Sequence, residues 1–338
     1  MSRGKISIIS IIYRVEDYLP QAIESMTAQT YKDLEIILCV GVGGDEDSSL
    51  SICEKYAAKD ERIRVIKRDA DRGQGYARNL GIEAATGDYI GFVDGDDFIE
   101  KDMYERLLDN LEKYDADISV CGKFSDYDNT SIPDRAAPVR VMTNKDCYEM
   151  LLRGTGFFFH CWDKLYKREI FDGLSFPGGY LEDRYVIGKA LYRAKRTVYD
   201  TTPLYHYRIR SDSGSRVLCM SEYNTDADTV FCAEAKELFP EFSDLADATL
   251  LYDHITNIQN YLIHFKGKDG DTDEMKERYR AHLQYVRDNK NRKNPEVSKK
   301  LRLKIFMTLY MRPLLKAVTK KRSEKRNSQN EVFKGKIS

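Results

Sequence analysis

The chain has little with which to build a disulfide framework or a zinc centre. Its seven cysteines, at 39, 53, 121, 147, 161, 219 and 232, are odd in number and include no Cys-x-x-Cys pair, and its five histidines make no cluster beside them. That argues against both features and predicts reduced thiols. A long apolar run is missing too. The nearest approach, Ile6 to Tyr13, follows Arg3 and Lys5 as a secretory leader would, but it is brief, runs into Arg14, Glu16 and Asp17, and has no cleavage site after it. Neither a leader nor a membrane span is expected, and the chain reads as cytoplasmic. No internal repeat and no linker rich in Pro, Gly or Ser divides it.

What is present suits a folded α/β protein. The 338 residues exceed one average domain, so a large domain with a smaller appendage is expected, and 42% hydrophobic with 32% charged residues fits neither a disordered nor a polytopic membrane chain. The net charge of -1 hides a division. From Lys299 to Ser338 there are 13 Lys and Arg against Glu324 and Glu331, a net +11, which leaves -12 on the preceding body. An acidic body argues against nucleic acid as a partner, and a basic tail argues for an anionic surface such as a membrane leaflet.

Along the first 125 residues, short apolar or β-branched runs end in polar loops and are followed by helical patterns. This rhythm predicts parallel strands at Ile6–Tyr13, Leu34–Val40, Ile63–Lys67, Asp88–Asp94 and Asp117–Phe124. Helices are expected at Asp17–Gln29, with Pro20 in the first turn, and at Ser48–Ala58, Gly75–Ala85 and Lys101–Tyr114. Further along come an Asp-Asn turn at 128 to 129, a helix at Asn144–Arg153, and helical spacing in Phe231–Phe239, Leu245–Phe265 and Glu274–Val286. The expected organisation is an α/β domain over residues 1–216, a helical appendage over 217–298 and a basic amphipathic tail over 299–338. Ligands of open α/β sheets collect beyond the carboxyl ends of the strands, so the loops starting near Tyr13, Gly41, Lys67 and Asp94 should share one rim.

On that rim, Asp88-Tyr89-Ile90-Gly91-Phe92-Val93-Asp94-Gly95-Asp96-Asp97 closes an apolar strand with an acidic turn. Asp94 and Asp96 can both face a cation, and hard divalent ions such as Mg²⁺ or Mn²⁺ combine one or two carboxylates with substrate phosphates. An Asp-x-Asp alone is more often an ordinary turn; its place at the end of a central strand favours the metal. A phosphate cradle at Gly41-Val42-Gly43-Gly44 is weaker, because neither the P-loop lysine nor the dinucleotide spacing accompanies it.

Several stretches in order resemble the family 2 glycosyltransferases. They are Ile6-Ser7-Ile8-Ile9 with Tyr13-Arg14-Val15-Glu16-Asp17-Tyr18-Leu19, Gln29-Thr30-Tyr31-Lys32-Asp33-Leu34-Glu35-Ile36-Ile37-Leu38, Arg72-Gly73-Gln74-Gly75-Tyr76-Ala77-Arg78-Asn79-Leu80-Gly81, and Thr86-Gly87-Asp88-Tyr89-Ile90 leading to Asp94-Gly95-Asp96-Asp97. Trp162-Asp163-Lys164-Leu165-Tyr166, Glu182-Asp183 and Tyr205-His206-Tyr207-Arg208 also resemble it, so that the likeness covers about residues 5 to 216. It implies a Rossmann-like GT-A fold binding a nucleotide-sugar donor, UDP-sugar by default, and inverting transfer to a hydroxyl of a glycan or lipid-linked acceptor. By the same resemblance Asp96 is the direct metal ligand and Asp94 reaches the donor ribose and the metal's surroundings. Gly95 lies between them, Asp97 supports the turn, Ile11, Tyr13 and Glu16 frame the base, and Arg78 lies near the nucleotide.

Asp183 resembles the base that removes the acceptor's proton, with Glu182 in support; an acidic pair opening a helix also complements the helix dipole without any catalysis. Arg208 or Arg210 can add a cation near the diphosphate, or be an exposed strand residue. Trp162 and Phe157-Phe158-Phe159 can stack on an acceptor sugar or fill the core, and His160 and His206 read as structural. Two departures stand out. The family's usual acidic pair after the second strand is replaced by Cys39-Val40-Gly41-Val42-Gly43-Gly44-Asp45-Glu46-Asp47-Ser48, where Asp45 or Asp47 can substitute, and Ile11 and Arg14 replace a usual Pro and Asn. This leaves a rival reading, a catalytically inactive nucleotide-binding or membrane-adaptor protein, while a nucleotidyltransferase is disfavoured by the missing glycine-rich nucleotidyl loop. In the tail, Leu301, Ile305, Leu309 and the stretch Phe306 to Met311, interleaved with Lys299, Lys300, Arg302, Lys304, Arg312 and Lys316, predict an interfacial helix broken near Pro313, or a basic helix packed by its apolar side.

Overall fold

The computed structural model describes residues 3–42, 47–69, 72–127, 130–178, 182–209, 223–267 and 271–311, with 313 and 317. The chain divides into two compact units, residues 1–210 and 211–338.

The first unit alternates as its sequence rhythm predicts: β1 (Ile6–Ile12), α1 (Leu19–Thr27), β2 (Leu34–Val42), α2 (Ser49–Ala57), β3 (Ile63–Asp69), α3 (Gly73–Ala84), β4 (Tyr89–Asp94), β5 (Phe98–Ile99), α4 (Met103–Tyr114) and β6 (Ile118–Tyr127). Then come β7 (Thr130–Pro133), β8 (Arg140–Met142), α5 (Asn144–Arg153), β9 (Lys164–Lys167), α6 (Glu182–Arg193) and β10 (Thr197–Arg208). The main sheet path is β3-β2-β1-β4-β9-β6-β10-β5, with β7 paired to β6 and β8 to β10.

The strand β1 runs parallel to both neighbours, with Ile8 opposite Ile36 on β2 and Gly91 on β4. Ile6, Ile8, Ile9 and Ile12 are all fully buried, as a strand covered on two faces requires. The start of β4 is pinned to β1 by hydrogen bonds: the Lys5 N–H donates to Asp88 Oδ2 at 2.8 Å, and the Gly87 N–H to Ser7 Oγ at 2.9 Å. A Cβ on Gly87 would lie 2.6 Å from the Lys5 carbonyl, so Thr86-Gly87-Asp88 is the sequence that this close approach admits.

The fifth predicted strand, β6, is present and pairs parallel with β10, but it does not lie next to β4: β9 enters antiparallel between them, pairing Ile90 and Ile118 with Tyr166. At four residues in an aromatic stretch, β9 has too short a pattern to read. The Asp-Asn turn at 128 to 129 lies outside the described residues.

In the second unit, α7 (Tyr223–Leu238), α8 (Ser243–Asn260, continued by a π-helical turn at Tyr261–Phe265), α9 (Asp273–Asn289) and α10 (Lys299–Tyr310) are helical as expected. Thr272 Oγ1 and Ser298 Oγ cap α9 and α10 by accepting the Met275 and Leu301 N–H groups. Ile255, Ile258, Leu283, Val286, Leu301 and Ile305 form one apolar cluster, so α10 shares a core with α8 and α9. It ends at Tyr310, before Pro313. Among the described residues no helix is long and apolar enough to cross a membrane.

Candidate active site

The site is built where the strand ends converge. Asp94, the last residue of β4, lies opposite Ile11 of β1, and the next N–H, of Gly95, donates to the Ile11 carbonyl at 3.1 Å. A Cβ on Gly95 would stand 3.0 Å from that carbonyl and from Ile12 Cγ1, so the turn between the two carboxylates sits tightly on β1.

The turn is held from the far side by β10. Asp97 is buried; its Oδ2 accepts the Tyr205 hydroxyl at 2.8 Å and its Oδ1 the Arg208 N–H at 2.8 Å. The Asp94 N–H donates to the same Tyr205 oxygen at 3.1 Å. The Arg208 guanidinium donates to the Asp96 carbonyl at 2.6 Å and to Gln21 Oε1 at 2.5 Å, and lies over the Tyr18 and Phe98 rings at 5.1 and 4.8 Å. Arg208 is thus anchored to the Asp96 turn, and Asp97 is spent on holding it. Arg210 lies outside the described residues.

From the opposite edge comes α6, which opens with Glu182 and Asp183. Arg78 on α3 bridges the two halves: it bonds closely to Glu182 Oε1, and its Nη2 is 3.7 Å from Asp94 Oδ1. Only 5% of its side chain is exposed, so it is not a surface arginine: it pairs α3 to the start of α6 from within the site. Burial opposes its charge, and the Cys161 sulfur with Glu182, Asp94 and Asp183 more than offsets this. On the carboxylate side, burial and then repulsion from Asp96, Glu182 and Asp183 push Asp94 up to about 7, although Arg78 pulls the other way. Asp183 is pushed up to about 6 by burial and Glu182, against Arg78 and Arg184. The carboxyl groups of Asp94, Asp96, Glu182 and Asp183 thus repel one another around the Arg78 guanidinium. Among the described residues no three His, Cys, Asp or Glu side chains are grouped to hold a metal unaided. Two carboxylates on one turn are what a cation sharing its shell with a diphosphate needs.

The remaining candidates lie on the β1 side. Tyr13 is exposed, with Arg14 over its ring at 5.2 Å, and Glu16 is half-buried against Asp47. Asp47 Oδ1 accepts the Ser49 N–H at 2.9 Å and Oδ2 the Arg14 N–H at 3.2 Å; burial works against its charge, yet these bonds hold it below the usual carboxylate range. They also secure Arg14 in the left-handed region, at φ 52°. Asp47 is therefore engaged in the loop, and Asp45, with Gly43 and Gly44, lies outside the described residues.

Of the two readings of Trp162, core packing is the one the structure takes. Trp162 is buried, with the His160 ring stacked at 4.7 Å and the Tyr205 ring at 4.2 Å, which leaves no face for an acceptor sugar. It braces Tyr205 instead. Of the neighbouring phenylalanines, Phe157 is buried and Phe158 exposed. Residues not foreseen are Tyr205, as the hub of the turn, and Arg68 at the end of β3. Arg68 is buried and its guanidinium lies beside Tyr13 at Gly41, where an added Cβ would be 3.1 Å from the ring and 3.2 Å from Arg68 Nη2. Its place on the predicted rim was the available signal.

Residues 7–175 match the model for the family described as glycosyl transferase family 2. The chain is 42% identical over 171 residues to the uncharacterized glycosyltransferase EpsJ of Bacillus subtilis, covering 49% of each protein. It is 35% identical over 223 residues to the glycosyltransferase GlyA of Streptococcus pneumoniae, covering 63% of this chain and 32% of that one. The match thus spans about half or less of these relatives' length. In fold, it is similar to Staphylococcus aureus TarS residues 1–349, solved in complex with UDP-GlcNAc, with a TM-score of 0.68 at 18% identity over 94% of this chain and 92% of that one.

Proposed function

This chain belongs to glycosyl transferase family 2 with a GT-A fold, and from that premise we propose that it moves a sugar from a nucleotide diphosphate donor to an acceptor hydroxyl, with inversion. The observation that carries the reading is the joining of the Asp94–Asp96 turn to the Glu182–Asp183 helix start through Arg78. Asp183, raised toward neutrality, takes the proton of the acceptor hydroxyl as its oxygen attacks the anomeric carbon and the bond to the diphosphate breaks. Asp96 and Asp94 would hold Mg²⁺ or Mn²⁺, which when bound supplies Lewis-acid neutralisation of the departing diphosphate. Asp97, Tyr205 and Arg208 keep that turn in place, while Ile11, Tyr13, Glu16 and Arg68 frame the nucleotide.

A UDP-sugar is the donor this reading starts from, supported by the UDP-GlcNAc held by TarS, and the acceptor is a glycan or a lipid-linked one. The commitment of Asp47 to Ser49 and Arg14 favours a second reading, a nucleotide-binding protein without transfer. The two part on one assay. Purified protein with Mn²⁺ and a panel of nucleotide sugars should release nucleoside diphosphate from one donor, and Asp96→Asn should abolish it. With an acceptor, Asp183→Asn should bind that donor yet lose transfer by about 10²-fold or more. Donor binding without any release, with wild type and a range of acceptors, would sustain the second reading; undiminished transfer in both variants would remove the mechanism.

A further inference from the structure

The helix α10 presents two different faces. Leu301, Ile305 and Thr308 turn inward, at most 8% exposed, into the cluster with Ile255 and Val286. Leu309 is partly buried against the same cluster, so Leu301, Ile305 and Leu309 are spent on the core of the unit. Part of the apolar stretch, with Leu303, forms an outward-facing stripe. Leu303, Phe306 and Tyr310, spaced three and four apart on the outer side, are 59%, 51% and 62% exposed, and Met311 adds to them. Exposed large apolar side chains gathered on one short helix need an explanation that scattered ones do not.

Charge identifies what covers them. From Lys299 to Met311 there is no acidic residue, while Lys299, Lys300 and Arg302 are exposed beside the stripe. Lys304 lies over the exposed Tyr252 ring at 4.2 Å, and Lys290 Nζ donates to the Tyr310 hydroxyl at 3.1 Å, so ammonium groups rim the aromatic rings. The sequence continues basic beyond it, to the net +11 of residues 299–338. A second copy of the same face would meet like charge. Aromatic and aliphatic side chains that enter an acyl boundary, flanked by cations at headgroup level, suit an interfacial helix. We propose that the outer face of α10 docks on an anionic phospholipid bilayer, lying on it without spanning it. This proposal is independent of donor and reaction.

The test is co-sedimentation of the full chain with phosphatidylcholine vesicles, with and without phosphatidylglycerol. Binding should require the anionic lipid, weaken with salt, and fall by about tenfold or more in Leu303→Ser/Phe306→Ser, whose circular dichroism and nucleoside diphosphate release stay those of wild type. A separate Phe306→Gln variant probes the same face should the double variant misfold. The proposal is overturned by absence of binding to anionic vesicles, or by binding that both variants leave unchanged, which would assign it to tail charge alone. Self-association in vesicle-free solution that either folded variant abolishes would overturn it too, giving the face to a second copy.

Discussion

A carboxylate works as a base only when it is ionised and yet basic enough to take a proton, and the surroundings of Asp183 set that balance. Burial and the neighbouring Glu182 raise it to about 6, and Arg78, paired to Glu182, restrains the rise. Because a base of the kind proposed for Asp183 is active without its proton, kcat/KM should level off above about pH 6 and fall as the pH drops through it, about tenfold per unit at the limit. Glu182→Gln removes one repelling charge and leaves Arg78 to act on Asp183 and Asp94, so the inflection should move to lower pH. A pH–rate profile of wild type and variant checks this. An unmoved inflection would mean that another group titrates. The same variant should cost stability, because a guanidinium 5% exposed loses its closest carboxylate, and breaking such a pair costs about 3–5 kcal/mol.

At the scale of elements, the site depends on α3 lying close to the segment that leads into α6. Gly75 makes this possible: a Cβ there would stand 2.2 Å from the Pro177 carbonyl, a backbone atom that cannot swing away, and 3.2 Å from Glu182 Cγ. Asn79, one turn further, clasps the same segment, with Nδ2 donating to the Phe176 carbonyl and Oδ1 accepting the Phe176 N–H, both at 2.8 Å. Gly75→Ala should therefore destabilise by about 1–3 kcal/mol in urea unfolding and lower nucleoside diphosphate release well beyond the loss of folded protein. A stable, fully active variant would show that this segment yields without disturbing Glu182. The strands β1 to β4 and the acidic turn were legible because buried apolar runs and an Asp-x-Asp are local patterns. The Arg78–Glu182 bridge was not, since its partners are 104 residues apart. Trp162 and the tail stretch each kept two readings for a related reason: composition marks a side chain as apolar or aromatic but does not say which face the fold consumes. The remodelled loop after β2 was visible as a departure, and the use of Asp47 as an internal clamp follows from Arg14, whose positive φ no pattern announces.

At the scale of the molecule, acidic and basic residues are segregated along the chain, and so are two apolar clusters among the described residues. The buried cluster around Ile8, Ile36, Leu107 and Tyr205 draws only on residues before Arg210, and that around Ile255 and Ile305 only on residues after it. Every candidate for donor, metal or base also lies at or before Arg210. A unit of about 200 residues with its own core lies within the range that folds alone. Residues 1–210 expressed by themselves should then unfold cooperatively and keep metal-dependent nucleoside diphosphate release within a few-fold of the full chain, while losing sedimentation with anionic vesicles. Calorimetry and the donor panel read the first two, and the vesicle assay the third. A folded fragment that no longer turns over donor would mean that residues after 210 complete the site, and one that still sediments with vesicles would place membrane contact in the catalytic unit instead of on α10.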